Sequence, residues 1–306
     1  QISDPRHLTR KVLDEFVKAG ALEEILYVAK PHIGTFRLVG MIEKMRAEIE
    51  SLGGEIRFEA RVADVLIEGE PAQIRGVVLA SGEQIEAEQV VLALGHSARD
   101  TFAMLHARGV FMEPKPFSIG VRIEHPQGVI DRARFGPNAG HPILGAADYR
   151  LVHHARNGRA VYSFCMCPGG TVVAATSEAQ RVVTNGMSQY SRNERNANAG
   201  IVVGITPADF RSDNPLAGIA LQRRLEEQAF ALGGGNYNAP AQRVGDFLAG
   251  RPSTGPGAVL PSYTPGVTWT DLSGALPEYA IAAIREALAA FDKELPGFAM
   301  DDAVLT

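Results

Sequence analysis

The run Val90-Val91-Leu92-Ala93-Leu94-Gly95-His96-Ser97-Ala98-Arg99-Asp100-Thr101 carries the clearest structural signal in the chain. An unbroken apolar run meets a glycine, and small polar residues follow. That pattern is expected to form a strand buried on both faces, ending in a tight turn where backbone can approach a ligand. Immediately upstream, Gly76 to Ala87 reads as a two-stranded hairpin that turns at Ser81-Gly82.

Working outward, a helix is expected from Arg37 to Leu52, with Leu38, Met41, Ile42, Met45 and Ile49 inward. Gly53-Gly54 closes it, and Glu55 to Val62 alternates as a half-buried strand. Helix, Gly-Gly and strand make a compact α/β unit. Before it, Arg10 to Ala19 is amphipathic through Val12, Leu13, Phe16 and Val17, and Gly20 stops it. A short helix is expected over Thr101 to Arg108. The composition then turns Pro- and Gly-rich, and short strands are expected over Phe117–Ile123, Ala160–Met166, Thr171–Ala174 and Gly200–Ile205. Leu216 to Leu232 reads as a helix ended by Gly233-Gly234-Gly235, and Pro240 to Leu248 as a shorter one. Gly250 to Val267 is a long Pro/Gly loop. Pro277 to Phe291 is a strong helix with Ser273 as an upstream cap, and Asp302 to Thr306 opens a new strand. The fold class is α/β (α+β).

The 306 residues suit about two domains. The net charge of −5 is spread along the chain, which gives no clustered basic face for nucleic acid. No apolar run approaches the ~20 residues that span a membrane. Gln1-Ile2-Ser3-Asp4-Pro5 lacks both a leader pattern and an initiator Met, so the chain is expected to begin inside a longer gene product. The two cysteines stand in Cys165-Met166-Cys167. On a strand they share a face at ~6.5–7 Å, too far for an easy mutual disulfide. Free thiols suit a reducing cytoplasm, the expected location.

No Gly-x-Gly-x-x-Gly opens a helix after a strand, and no phosphate-binding loop, His-Glu-x-x-His or Gly-x-Ser-x-Gly occurs. The adjacent His153 and His154 point to opposite faces, which spoils chelation, and no metal is expected. His96 either donates to a phosphate or ribose oxygen or bonds its own turn. Cys165 and Cys167 are either small buried hydrophobes or, on a cleft-lining face, a nucleophilic or redox pair. Arg195 and Asn198, in the run Arg192 to Asn198, are donors suited to an anionic ligand, against the alternative of a solvated loop. Gln242, Arg243 and Asp246, with Arg251-Pro252-Ser253, serve either a substrate or an interdomain contact.

Taken together, these segments resemble bacterial FAD-dependent dehydrogenases of the two-dinucleotide-binding-domain type. The resemblance rests on Pro31-His32-Ile33-Gly34-Thr35, Gly53 to Phe58, Arg61-Val62 and Ala87 to Thr101. Lys115 to Pro126, Cys165 to Gly170, and Gly234 to Tyr237 through Ser253 add to it, so it covers nearly the whole chain. It implies a central portion of such an enzyme, between an upstream dinucleotide fingerprint and a downstream flavin-contacting segment. Residues 1–112 would be a helical lead-in and partial FAD-binding segment, 113–270 a β-rich substrate domain with helices, and 271–306 a helix returning toward the FAD domain. Val62 would present backbone to adenine, and Gly95, His96 and Ser97 would lie near the adenosine–diphosphate portion. Arg195, Asn198 and Arg243 stand as substrate-binding candidates, and Cys165 and Cys167 as the catalytic ones. The implied function is FAD-dependent oxidation or reduction of a small molecule, inactive in this portion alone. The alternative is a non-catalytic ligand-binding or interaction domain. Self-association is expected through the surface left by the missing domain.

Overall fold

The computed structural model describes residues 8–28, 31–210 and 212–306. The leader reading at Gln1 to Pro5 lies outside the described residues. The fold is α/β, in two compact units. One comprises residues up to Glu48, Phe117–Ile205 and Arg223–Thr306, and the other Ile49–Pro116 and Thr206–Gln222.

Helix α1 (Leu8–Lys18) stops at Gly20, whose φ of +106° suits a residue without Cβ. Its Leu13, Phe16 and Val17 pack on Ala19, Ala21, Ile25 and Met41. Helix α2 (Thr35–Ser51) carries Met41 and ends where Gly54 N–H reaches the Ile49 carbonyl at 2.9 Å. The inward set expected for α2 needs correction. Met41 is buried and Met45 packs beside it, but Leu38, Ile42 and Ile49 are exposed. The helical period was right; most of the stripe has nothing to cover it among the described residues.

The smaller unit holds an antiparallel meander of β1 (Val62–Glu68), β2 (Gln73–Leu79) and β3 (Gln84–Glu86). The expected turn is there: Leu79 N–H donates to the Glu83 carbonyl at 2.8 Å, across Gly82 at φ +90°. Residues 55–61 form no strand. Neither do Val90 to Leu94: Val91 is 88% exposed, and Leu92 and Leu94 are exposed too. A doubly buried strand needs neighbours on both edges and layers on both faces, and the described residues of this unit supply neither. Helix α3 (Arg99–Ala107) follows.

The larger unit is built on an eight-stranded sheet. Its elements are β4 (Phe117–Pro126), α4 (Gln127–Phe135), β5 (Val152–His154), β6 (Ala160–Ala174), β7 (Thr184–Ser188), β8 (Asn196–Ile205), the part of α5 (Ala217–Leu232) from Arg223 on, β9 (Ala239–Arg243), α6 (Val244–Ala249), β10 (Val267–Trp269), α7 (Glu278–Glu294) and β11 (Val304–Leu305). The strand order is β10-β9-β11-β4-β8-β6-β5, with β7 beside β6. Only β9 and β10 run parallel. The chain's last strand thus sits inside the sheet, between β9 and β4.

Three expectations change here. Ala239 to Arg243 is strand rather than the start of a helix, because it bonds between β10 and β11. Asn196 to Asn198 is buried strand rather than loop. Pro277, not Ser273, stands at the N-cap of α7. Helix α4 had no expectation attached.

Alternation along β4 sorts its residues onto two faces. Val121, Ile123 and His125 share one, with Ala197, Ala199 and Ile201 of β8. Helix α7 packs on β4, β5, β6 and β8 and buries Ile281, Ile284, Leu288 and Phe291. The His125 ring lies 4.6 Å from that of Phe298, just past α7. Arg122 and Glu124 fall on the opposite face. No helix among the described residues is long and apolar enough to cross a membrane.

Candidate functional site

The second sheet face is polar where strands β4 and β8 meet, and that is where the site lies. Arg122 is 4% exposed. Its Nη1 donates to Asn198 Oδ1 at 2.6 Å and its Nη2 to Asn185 Oδ1 at 3.2 Å. Both also reach the Cys165 carbonyl, at 3.4 and 3.3 Å. Asn198 arrives from β8, Asn185 from β7 and the carbonyl from β6. Opposite Arg122 in the β4–β8 ladder stands Gly200, with no side chain of its own. Gly186 lies so close that a Cβ there would collide with the guanidinium and with Asn198 Oδ1.

Two residues along the same face, Glu124 is fully buried and serves as acceptor. Ser262 Oγ donates to it at 2.6 Å, Ser262 N–H at 3.0 Å and Asn196 Nδ2 at 2.8 Å. Arg195 Nη2 and Asn196 Nδ2 both donate to the Leu260 carbonyl, at 2.8 and 3.0 Å. The long Pro/Gly loop is thereby pinned over this face. Glu124→Ala would strand three donors, so a loss of about 2 kcal/mol in unfolding free energy is expected, read by urea denaturation.

The Cys-Met-Cys run does not present both thiols to one face. Strand β6 shifts register between Phe164 and Cys167 and again before Gly170, and Cys165 takes φ +48°. The irregularity breaks the alternation on which the shared face depended. Cys165 is therefore exposed and Cys167 buried. Burial pushes the Cys167 thiol pKa up, against a weaker downward pull from Arg122. Thiolate chemistry needs the reverse. In the native protein, alkylation at neutral pH is expected to label Cys165 readily and Cys167 only on unfolding. Peptide mass spectrometry reads the difference. Beyond the cysteines, Gln127 Oε1 accepts from Gly169 N–H at 2.7 Å and so holds the Pro168-Gly169-Gly170 turn.

Arg243 belongs to another cluster. Its Nε donates to Asp246 at 2.9 Å, and the same carboxylate accepts from Ser253 Oγ and Arg251 Nε, each at 2.7 Å. The Ser253 bond, then that of Arg251, pulls the Asp246 pKa to about 2. Gln242 ties the Arg251 carbonyl and Leu272 N–H together, at 2.7 and 2.9 Å. These residues fasten one another. One rung of the sheet runs Arg243, Val304, Glu124, Asn198, Cys167. Arg243 and Asn198 thus stand three strands apart, roughly 14 Å. Of the three substrate-binding candidates, Asn198 lies beside Arg122, Arg195 bonds the loop, and Arg243 sits with Asp246. Asp246→Asn is expected to loosen the 250–253 segment and cost about 1–2 kcal/mol, seen as earlier proteolysis there and a lower urea midpoint.

Sequence reasoning assigned no site role to Arg122, Glu124 or Asn185. The signal was available: two charged residues alternate with apolar ones in Val121-Arg122-Ile123-Glu124, as they would on a polar sheet face.

In the smaller unit, Val62 opens β1 half-buried, and Gly95, His96 and Ser97 form an exposed turn. Gly95 has φ +71°, and the space that a Cβ would take there is empty out to 4 Å. Ser97 Oγ lies 3.4 Å from His96 Nε2. The turn is therefore open to solvent on its glycine side. No glycine-rich helix start that could cradle a diphosphate occurs among the described residues.

Residues 116–306 match the family described as FAD-dependent protein, C-terminal domain-like. The chain is also 48% identical over 301 residues to a Clostridium beijerinckii protein described as uncharacterized, an alignment that covers 98% of this chain and 56% of that protein. The chain therefore spans about half the length of the curated relative it matches.

Proposed function

We propose, from the premise that this chain belongs to the FAD-dependent protein, C-terminal domain-like family, that it is part of a cytoplasmic FAD-dependent oxidoreductase acting on a small molecule. The observation that carries this reading is the family match itself, because residues 116–306 hold the sheet on which Arg122, Glu124, Asn196 and Asn198 converge. The run Val90 to Leu94, exposed from Val91 on, adds support: it has the composition of an inner strand and pairs with no strand among the described residues.

In the intact protein the flavin would supply hydride or electron transfer, and the protein would supply position and electrostatics. Val62 and the Gly95–Ser97 turn would flank the adenosine end. The polar sheet face would hold the small molecule, with Glu124 and Ser262 keeping the covering loop in place.

The test is the visible spectrum of the purified intact protein, before and after anaerobic addition of a reduced nicotinamide nucleotide or dithionite. A flavin spectrum that bleaches on reduction and returns with an acceptor supports an oxidoreductase. An intact protein that carries no flavin and gains none on incubation with FAD would overturn the reading and favour a ligand-binding module.

A further inference from the structure

Arg122 is a buried cation whose hydrogen-bond partners are all neutral: two side-chain amides and one backbone carbonyl. Buried charges are normally paired, since an unpaired one loses its hydration without compensation. The Cys167 thiol is close enough to feel the charge of Arg122, and burial holds it protonated. Glu124 is committed to Ser262 and Asn196.

A second atom makes the same point independently. Asn198 is fully buried, and its Nδ2 has no hydrogen-bond partner. Because Asn198 Oδ1 is fixed on Arg122 at 2.6 Å, the unspent donor lies one amide width from the guanidinium. A buried cation and a buried, unused N–H donor side by side are the two halves of an anion site.

We propose that this pole of the sheet binds the carboxylate of a small organic acid, with Arg122 as the cation and Asn198 Nδ2 as a second donor. The 2.6 Å bond to Asn198 anchors the guanidinium. The bonds to Asn185 and the Cys165 carbonyl are long, 3.2 to 3.4 Å, and a charged acceptor displaces them. Asn185 and Cys165 are exposed, which puts the entrance on their side. Phe164 beside them is 61% exposed and offers an apolar rim to the hydrocarbon part of an acid. One positive charge flanked by neutral amides matches a singly charged planar carboxylate rather than a phosphate dianion. Calling this acid the substrate rests on the flavoprotein reading; the anion site does not.

The experiment is calorimetric titration of the intact protein with monocarboxylates from acetate to benzoate, with benzamide and inorganic phosphate as comparisons. At least one monocarboxylate is expected to bind, with benzamide and phosphate at least tenfold weaker. Arg122→Met should weaken that binding tenfold or more. Because this variant could fail to fold, Asn198→Asp carries the test. It places a carboxylate against Arg122, so it should abolish acid binding and raise the thermal midpoint. No binding by any carboxylate, equal binding of benzoate and benzamide, tighter binding of phosphate, or unaltered acid binding in Asn198→Asp would each overturn the proposal. Flavin absorbance on the same samples reports cofactor retention separately, so loss of one reading leaves the other to be judged by itself.

Discussion

Phe298→Ala is expected to lower the unfolding free energy by about 3–5 kcal/mol, the range for deleting a buried aromatic ring. Phe298 is fully buried, and its ring meets those of Tyr149 and Phe291 edge-on at 5.3 and 5.5 Å. It lies over His125 as well, and its carbonyl accepts from His125 Nε2 at 2.5 Å. Three elements of the larger unit therefore meet on one side chain: β4 through His125, α7 through Phe291, and the segment before β5 through Tyr149. The cavity cannot close by moving any one of them. Urea denaturation of the variant checks the figure, and a loss below about 1 kcal/mol would show that this cluster does not hold α7 on the sheet.

Stability is expected to fall by about 3 kcal/mol as the pH drops from about 6.5 to 4, because of His125. Burial pulls this imidazole down from 6.5 to about 4, against weaker upward pulls from its bond to the Phe298 carbonyl and from Asp292. The ring keeps its proton on Nε2, which donates to that carbonyl, while Nδ1 is buried without a partner. In the unfolded chain the same ring titrates at its ordinary value. The folded pKa lies below the unfolded one, so protonation favours unfolding. The contribution is whole above about 6.5, falls by about 1.4 kcal/mol per pH unit below that, and levels off near 4. Asp246, at about 2, acts in a lower window, from its ordinary 3.8 downward, where its stabilising ion pairs are lost. The urea midpoint against pH reads both windows. His125→Gln, which keeps a donor for the carbonyl, should flatten the upper one; an unchanged slope in that variant would assign the effect to other groups. His125 and Phe298 touch, so their effects will not add.

Much of the scaffold was legible in the residues. The α7 run, the helix before Gly233, the Ser81-Gly82 hairpin and the closing strand each carried a period or a stop signal that local physics enforces. Three readings failed for nonlocal reasons. Val90 to Leu94 has the composition of an inner strand, but composition cannot show whether neighbours are present. The α2 stripe had the same fate at Leu38, Ile42 and Ile49. The Cys165–Cys167 pair was assigned one face because strands alternate, and a register shift tied to Cys165 at φ +48° undid it.

The site was less legible than the fold. Asn198 was singled out as a donor, but for a loop, whereas it is a buried strand residue. Arg122 and Glu124 alternate with apolar residues, a pattern that by itself does not separate a solvent face from a buried polar one. Glu124 is covered because Ser262 and Leu260, far along the chain, bring the Pro/Gly loop over it, and Arg122 because Asn185, Asn198 and the Cys165 carbonyl close on it from three other strands. Pairing across such a separation leaves no local trace in the chain.

The most direct measurement of the central claim is FAD retention, read in parallel on the intact protein and on residues 1–306 alone by equilibrium titration and absorbance of the washed proteins. The expected result is stoichiometric FAD on the intact protein and none held by residues 1–306, whose described part has no diphosphate cradle. An intact protein that retains no FAD would contradict the flavoprotein assignment, and equal retention by the 306-residue chain would contradict the division of the cofactor site.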